Sequence, residues 1–168
     1  MGVNEVLGSL FYDNSYLPDI NYINRNQLPQ YAYNPGMGAI NLNENRILFE
    51  WKRLEKAKYK TSLTAPGLKN IAQVTNITMD LENYKGPVYS YELDETKFKE
   101  RWSVNRRILG KKGSRWLPVR ESSYYATEAL KQLLVDRGIE ITNMGRKKVP
   151  KKSRLLCTHY SVCLLYTS

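Results

Sequence analysis

The chain lacks several features that would assign it to a broad class at once. It has no run of about 18 apolar residues, so the sequence predicts no membrane-spanning segment. Residues 1–20 include Asn4, Glu5 and Asp13 and lack a basic start followed by an apolar stretch. That composition predicts that they are not a signal peptide.

Residues that bind metals or carry redox chemistry are scarce. Cysteine occurs only as Cys157 and Cys163, and His159 is the only histidine. A metal site would need more ligands than these side chains, so we predict no metal and no cofactor. His159 has no nearby arrangement of Asp, Glu or Cys and is interpreted as a turn residue rather than a base or ligand.

Acidic residues are also few. The chain has 16 Asp and Glu against 26 Lys and Arg, for a formal net charge of +10, and such an excess often indicates a nucleic-acid or anionic-surface partner. A hydrophobic content of 42% and a charged content of 25% are ordinary for a folded globular protein. Thirteen tyrosines and three tryptophans favour a β-rich body within a chain of 168 residues, which suits one medium domain or two small ones.

Alternation of apolar and polar residues predicts most of the chain to be β-structure. We predict strands at Glu5–Asp13, Gly38–Leu42, Arg46–Trp51, Ile71–Leu81, Val88–Leu93, Arg101–Leu109, Trp116–Val119 and Ile139–Thr142. Residues 14–35 are predicted to be an ordered loop, and Lys52–Lys60 either continues a strand or forms a short helical turn. Asn43-Glu44-Asn45 is predicted to be a tight hairpin turn, because Asn tolerates left-handed backbone. Residues 50–116 are expected to form an antiparallel module.

One helix, Ser122–Arg137, interrupts this pattern. Its apolar face is predicted from the helical spacing of Ala126, Ala129, Leu130, Leu133 and Leu134. Serines and Glu121 at its start and Gly138 just past its end agree with capping preferences. The apolar face needs a sheet to cover it, and we expect the strands within residues 5–13 and 38–51 to do so. The predicted fold class is therefore α+β and β-rich, with antiparallel sheets and this helix packing on a sheet.

Two segments of this chain have unusually distinctive sequences. The first, Tyr31–Trp51 (YAYNPGMGAINLNENRILFEW), resembles the "YNAP…ALNLNxNxVxF" segment of the DacB-type penicillin-binding proteins, the D-alanyl-D-alanine carboxypeptidase/endopeptidase family. The second, Trp116–Ile141 (WLPVRESSYYATEALKQLLVDRGIEI), resembles that family's segment with a Pro-containing approach, an "xxYAAxALxxxLxxxGI" helix and a short strand. The two segments stand in the family order, and the resemblance is weak between them.

The resemblance implies a domain organisation. In that family the penicilloyl-serine transferase domain contains a long insertion, itself split into nested smaller domains. Residues 1–49 would be the first half of a split α+β domain, residues 50–116 a nested β-rich subdomain, and residues 117–145 the second half. Residues 146–168 would be a basic connector toward the catalytic domain. Its end, Cys163–Ser168, is interpreted as a cloning or assembly scar, with a frayed apolar tail as the alternative.

The resemblance also implies which chemistry to look for. The family acts by acyl transfer: a serine in an S-x-x-K motif attacks a D-alanine carbonyl, and S-x-N and K-T-G elements complete the site. This chain has no S-x-x-K. Ser103-Val104-Asn105 spells S-x-N, and Lys60-Thr61-Ser62 comes close to K-T-G, but in the reverse of the family order. We interpret both as coincidence and predict no catalytic residue in this chain, which would be inactive alone.

Two functions follow as hypotheses. The resemblance implies a non-catalytic part of an enzyme of peptidoglycan synthesis and remodelling, located in the periplasm or cell envelope. Its partners would be peptidoglycan peptides, through the parent enzyme. The alternative is a stand-alone basic β-rich module that binds single-stranded nucleic acid or polyanions.

The alternative depends on three basic clusters, Lys52–Lys60, Arg101–Arg115 and Arg146–Arg154, with Tyr59, Trp102 and Trp116 interleaved. No RNP-type, KH or zinc motif accompanies them. We therefore interpret the clusters as a solvated or wall-facing surface that could meet anionic envelope polymers, with nucleic acid as the less favoured partner.

Overall fold

The computed structural model describes residues 8–55, 58–67, 71–83 and 85–158. The predictions for His159, Cys163 and the tail Cys163–Ser168 lie outside these ranges, as does the start of the first predicted strand. Nine strands and one α-helix lie within the described part: β1 (Ser9–Tyr12), β2 (Arg46–Glu55), β3 (Lys58–Pro66), β4 (Ile71–Gln73), β5 (Ile77–Glu82), β6 (Tyr89–Asp94), β7 (Lys99–Asn105), β8 (Lys112–Pro118), α1 (Ser122–Val135) and β9 (Asn143–Arg146).

The strands form three sheets. A four-stranded antiparallel sheet has the order β4-β3-β2-β8, a three-stranded sheet has the order β5-β7-β6, and β1 pairs with β9. The predicted fold class is confirmed: the protein is α+β and β-rich, with antiparallel sheets and one helix. Two pairings depart from the antiparallel rule, because β1 runs parallel to β9 and β5 runs parallel to β7.

The prediction of one continuous strand at Ile71–Leu81 is wrong. The segment forms two strands, β4 and β5, that belong to different sheets. At the break, the backbone amides of Thr75 and Asn76 donate to the carboxylate of Glu128 on α1, at 3.0 and 3.1 Å. A side chain, rather than a neighbouring strand, accepts the hydrogen bonds of these amides. The chain can therefore leave the four-stranded sheet here and enter the three-stranded sheet without leaving these amides unpaired.

The strand predicted at Gly38–Leu42 is absent, so the predicted hairpin is not formed; Met37 makes only a single bridge, to Ile20. The turn itself is confirmed. Asn43, Glu44 and Asn45 all have positive φ, between 52° and 54°, and lead directly into β2. Asn suits this left-handed backbone because its short side chain bonds locally.

Two further predictions need revision. Lys52–Lys60 continues strand structure: β2 runs to Glu55 and β3 starts at Lys58. The strand predicted at Ile139–Thr142 is displaced to β9, four residues later. Ile139 and Ile141 are nevertheless buried. The alternation of apolar and polar residues here therefore indicates an extended segment with one buried side, not a strand that pairs with a neighbour. Residues 14–35 are an ordered loop, as predicted, with Asn14 and Asn34 buried.

The predicted helix is confirmed as α1, which ends two residues early. Gly138 follows with φ +79°, and the amide of Ile139 donates to the carbonyl of Leu134 at 3.0 Å, as expected for a glycine C-cap. Glu121 is the N-cap residue, as its position before the helix predicted, but its side chain makes no capping hydrogen bond. The buried face is also shifted: Tyr125 and Ala129 are buried, whereas Leu130 is 48% exposed.

The helix packs only in part where the sequence predicted: β1 and the start of β2 lie in the predicted ranges, whereas β4 and β9 do not. It contacts β1, β4 and β9, and the hydroxyl of Tyr125 donates to the carbonyl of Arg46 at 2.9 Å, at the start of β2. One buried cluster joins the four-stranded sheet, the three-stranded sheet and α1. Its largest members include Phe49, Trp102 and Tyr125. Within the described ranges, no helix is long and apolar enough to cross a bilayer.

The predicted domain boundaries fall inside strands. The boundary after residue 49 lies within β2, and the boundary after residue 116 lies within β8. These two strands pair without interruption from Arg46↔Pro118 to Lys52↔Lys112. The division into a split domain and a nested subdomain stays a prediction. If a nested unit exists, part of β2 and part of β8 belong to it and the remainder of each strand belongs to the split domain.

Candidate functional site

The two short motifs that resemble catalytic elements lie in different sheets. Ser103 and Asn105 are on β7 of the three-stranded sheet, and Lys60-Thr61-Ser62 is on β3 of the four-stranded sheet. The hydroxyl of Ser103 donates to the Glu82 carboxylate at 3.2 Å, and the Asn105 side chain accepts the amide of Arg107 at 3.1 Å. A nucleophilic serine needs an activating base positioned with it, and the fold does not bring these two motifs together.

Metal-ligating side chains are dispersed in the part of the chain that the structure covers. Over those residues, no group of three or more His, Cys, Asp and Glu side chains is placed to hold a metal ion. Cys157 is exposed and has a free thiol.

The two segments that carry the family resemblance lie side by side in the fold. The amide of Gly36 donates to the carbonyl of Val119 at 2.7 Å, and the amide of Val119 donates to the carbonyl of Asn45 at 2.8 Å. The Asn45 side chain then donates back to the carbonyl of Gly36 at 2.8 Å. These three residues, Gly36, Asn45 and Val119, form a closed set of hydrogen bonds that we call the junction.

Arg120, next to the junction, is fully buried and organises the long loop before it. Its guanidinium donates to three loop carbonyls, those of Asn21 (3.3 Å), Pro29 (2.8 Å) and Asn34. Its Cζ also lies 4.1 Å from the ring centroid of Tyr22, a cation–π contact. Because Arg presents a planar fork of donors, a single side chain can hold several carbonyls of one loop in place.

Glu100 is the second buried ionisable residue beside the helix start, and it is 1% exposed. Its carboxylate accepts the backbone amides of Arg120 and Glu121 at 2.9 Å and the hydroxyl of Tyr91 at 3.0 Å. The groups facing it are thus two amides, one phenol, the Glu121 carboxylate, which opposes its charge, and the Arg120 guanidinium, which attracts it. Glu100 therefore satisfies the backbone just before α1, where the predicted cap supplies no side-chain bond.

The ionisation of this cluster follows from burial. Burial raises the pKa of Glu100 from 4.5 to about 7, against the lowering effect of the Glu121 and Arg120 amides and the Tyr91 hydroxyl. Burial and the neighbouring Glu100 carboxylate also raise the pKa of Tyr91, so its hydroxyl stays a donor. The Glu100 carboxyl can therefore change its charge near neutral pH although it is buried. Because its hydrogen bonds come from backbone amides and a tyrosine hydroxyl, its role in this cluster is to hold the structure.

The raised pKa of Glu100 should make the free energy of unfolding depend on pH. Between pH 4.5 and about 7 the native state holds a proton on Glu100 that the unfolded chain has lost. The free energy of unfolding falls as pH rises through that window, by at most about 1.4 kcal/mol per pH unit from this residue. In Glu100→Gln this component is absent, so the variant should gain stability relative to the native chain as pH rises to about 7. Urea unfolding at a series of pH values measures the difference.

A matched control is Glu140→Gln, which removes a carboxylate from an exposed position. Its unfolding free energies should run parallel to those of the native chain. Parallel curves for Glu100→Gln as well would contradict the assignment of the shifted pKa to this residue.

The basic clusters Lys52–Lys60 and Arg101–Arg115 meet where β2 pairs with β8, and the aromatic residues interleaved with them are engaged. Trp102 is fully buried, so it presents no ring for stacking. The guanidinium of Arg53 lies 5.3 Å from the ring centroid of Tyr59, and that of Arg46 lies 5.7 Å from the ring of Trp116. What the fold does bring together is one lysine from each of β2, β3 and β8, on one face of the four-stranded sheet.

The sequence did not identify Glu100 or Arg120 as special. Both are charged residues whose burial depends on contacts with distant segments, and the composition around them does not indicate those contacts. The one local hint is that Arg120 lies between an apolar strand and the helix, where a charged residue must find partners. No protein-family model matches this chain, and no curated protein is significantly similar to it.

Proposed function

We propose that this chain is a non-catalytic region of a serine-type D-Ala-D-Ala carboxypeptidase/endopeptidase that acts in peptidoglycan synthesis and remodelling. One observation supports the proposal: the two separated segments that resemble the family pack against each other. They share the β2–β8 pairing, the junction, and the hydrogen bond from Tyr125 to Arg46.

This packing is relevant because a domain that is split by an insertion must have its two halves in contact. If residues 50–116 were inserted into another domain, the chain would have to leave and return at neighbouring points. Here it leaves along β2 and returns along β8, which is the direct partner of β2. The resemblance and the topology are independent of each other, and both fit the same organisation.

In such an enzyme this region would flank the mouth of the active site and help to place or restrict peptidoglycan strands. It would supply no nucleophile, since S-x-x-K is absent from this chain. The parent enzyme would work in the periplasm or cell envelope, on peptidoglycan peptides. The parent reading frame is the first test: S-x-x-K should be encoded upstream, with S-x-N and K-T-G downstream, and a frame lacking both would contradict the proposal.

Penicillin labelling tests the same proposal on protein. We expect no covalent adduct when this chain is incubated with a fluorescent penicillin, because the acylated serine of such enzymes is in S-x-x-K. The polypeptide from the full reading frame should be labelled at a single serine. Denaturing gels with fluorescence detection measure both.

The matched control is Ser103→Ala, which removes the serine of the only S-x-N in the chain. An adduct on this chain that disappears in Ser103→Ala would place an active site on β7 and overturn the proposal. A full-length polypeptide that takes no label would overturn membership of the family.

A further inference from the structure

Three lysines form a row across one face of the four-stranded sheet. Lys52 on β2 is directly opposite Lys60 on β3 and directly opposite Lys112 on β8. All three are exposed. Adjacent strands lie about 4.8 Å apart, so the three side chains start within roughly 10 Å of each other. We call these residues the lysine row.

The lysine row is unfavourable for the chain by itself. Like charges directly opposite each other destabilise a sheet. Of the ion pairs formed by the described residues, none involves Lys52, Lys60 or Lys112. Lysines often protect edge strands from pairing with other chains, but β2 is an interior strand between β3 and β8. Edge protection therefore does not explain the central lysine.

The row borders a shallow groove of about 480 Å³. The next register row on the same face has Glu50 between Ser62 and Ser114, and both rows line the groove. The hydroxyl of Ser62 donates to the Glu50 carboxylate at 3.5 Å. The groove is thus lined by three lysines and three hydroxyl-bearing residues (Thr61 with the two serines) against one carboxylate, with Trp51 and Gly113 completing it, and this lining favours an anion.

The aromatic residues near the groove argue against nucleobases as ligands. Base stacking requires an open aromatic face. Trp51 is among the residues that line the groove, but its ring stacks on Phe49 with 5.3 Å between ring centroids and lies against Gly113 of β8. Trp116 lies on the same face as the lysine row but is engaged by the Arg46 guanidinium.

We propose that this groove binds a linear polyanion with closely spaced phosphate groups and no bases. Ammonium groups bind phosphate as point charges, and several adjacent ones suit a ligand whose charges repeat. The ligand would remove the repulsion among the three lysines, which the chain otherwise tolerates without compensation. This inference is independent of the proposed enzyme family, because it rests only on the register and exposure of the sheet.

The test compares two triple variants that remove the same three charges. Lys52→Gln/Lys60→Gln/Lys112→Gln removes the lysine row, and Lys85→Gln/Lys151→Gln/Lys152→Gln removes exposed lysines elsewhere. The probe is long-chain inorganic polyphosphate, with affinity measured by titration calorimetry at several salt concentrations. We expect the row triple to bind about tenfold more weakly with a shallower salt dependence, and the control triple to stay within about threefold of the native chain.

Melting temperatures separate binding from folding. At low salt the row triple should melt at or above the temperature of the native chain, because repulsion has been removed. Polyphosphate should raise the melting temperature of the native chain and the control triple, but not of the row triple. The single variant Lys52→Gln gives the same comparison with a smaller change to the surface.

Two results would overturn the proposal. Equal weakening in both triples would mean that polyphosphate responds to net charge alone. Tighter binding of an oligo-dT of matched charge, lost in Trp116→Ala, would identify single-stranded nucleic acid as the ligand instead.

Discussion

Arg120→Ala is expected to lower the free energy of unfolding by about 3–5 kcal/mol, the range for removing one partner from a buried charged network. The substitution deletes every hydrogen bond that the guanidinium makes to the carbonyls of Asn21, Pro29 and Asn34. It also removes the cation from Tyr22 and leaves a cavity next to Glu100. Urea unfolding monitored by circular dichroism measures the change.

The same loop provides the control. Arg25 is exposed, so Arg25→Ala should change stability by less than about 0.5 kcal/mol. Arg120→Lys should recover only part of the loss, because an ammonium group cannot reproduce the planar fork that reaches several carbonyls. If Arg120→Ala were as stable as Arg25→Ala, the loop would be held by other contacts and the role assigned to Arg120 would be wrong.

Local signals predicted the elements that local chemistry determines. The helix was found because its apolar spacing and the glycine after it act within a few turns. The left-handed turn at Asn43–Asn45 was found because Asn is suited to that backbone wherever it occurs. The burial of the helix was less well predicted: Tyr125 and two serines face the interior, and an apolar count does not register them.

Long-range contacts decided the parts that were missed. Ile71–Leu81 reads as one strand, and it is divided because Glu128, far along the chain, accepts the amides of Thr75 and Asn76. Gly38–Leu42 has strand composition, but the chain there follows the loop that Arg120 and the junction hold. The lysine row depends on the register of three strands, which single-sequence patterns do not specify.

Gly36→Ala should lower the free energy of unfolding by about 3 kcal/mol, the upper part of the usual range for overpacking. A Cβ at this position would lie 2.8 Å from the carbonyl carbon of Arg120 and closer still to its oxygen. These are backbone atoms, so no rotamer change relieves the contact. The junction bonds on both sides of Gly36 also prevent the two segments from moving apart without losing hydrogen bonds.

Gly110→Ala is the matched control for this prediction, because nothing lies within 4 Å of a Cβ added at Gly110. Its stability should stay within about 0.5 kcal/mol of the native chain. Hydrogen exchange adds a local readout: in Gly36→Ala the Val119 amide, which donates to Asn45, should exchange faster. Loss of that protection with α1 still protected would show that the two family-like segments are held together at the junction itself. Unchanged exchange at Val119 would mean that the β2–β8 pairing alone joins them, and that the glycine of the first segment is not required for their contact.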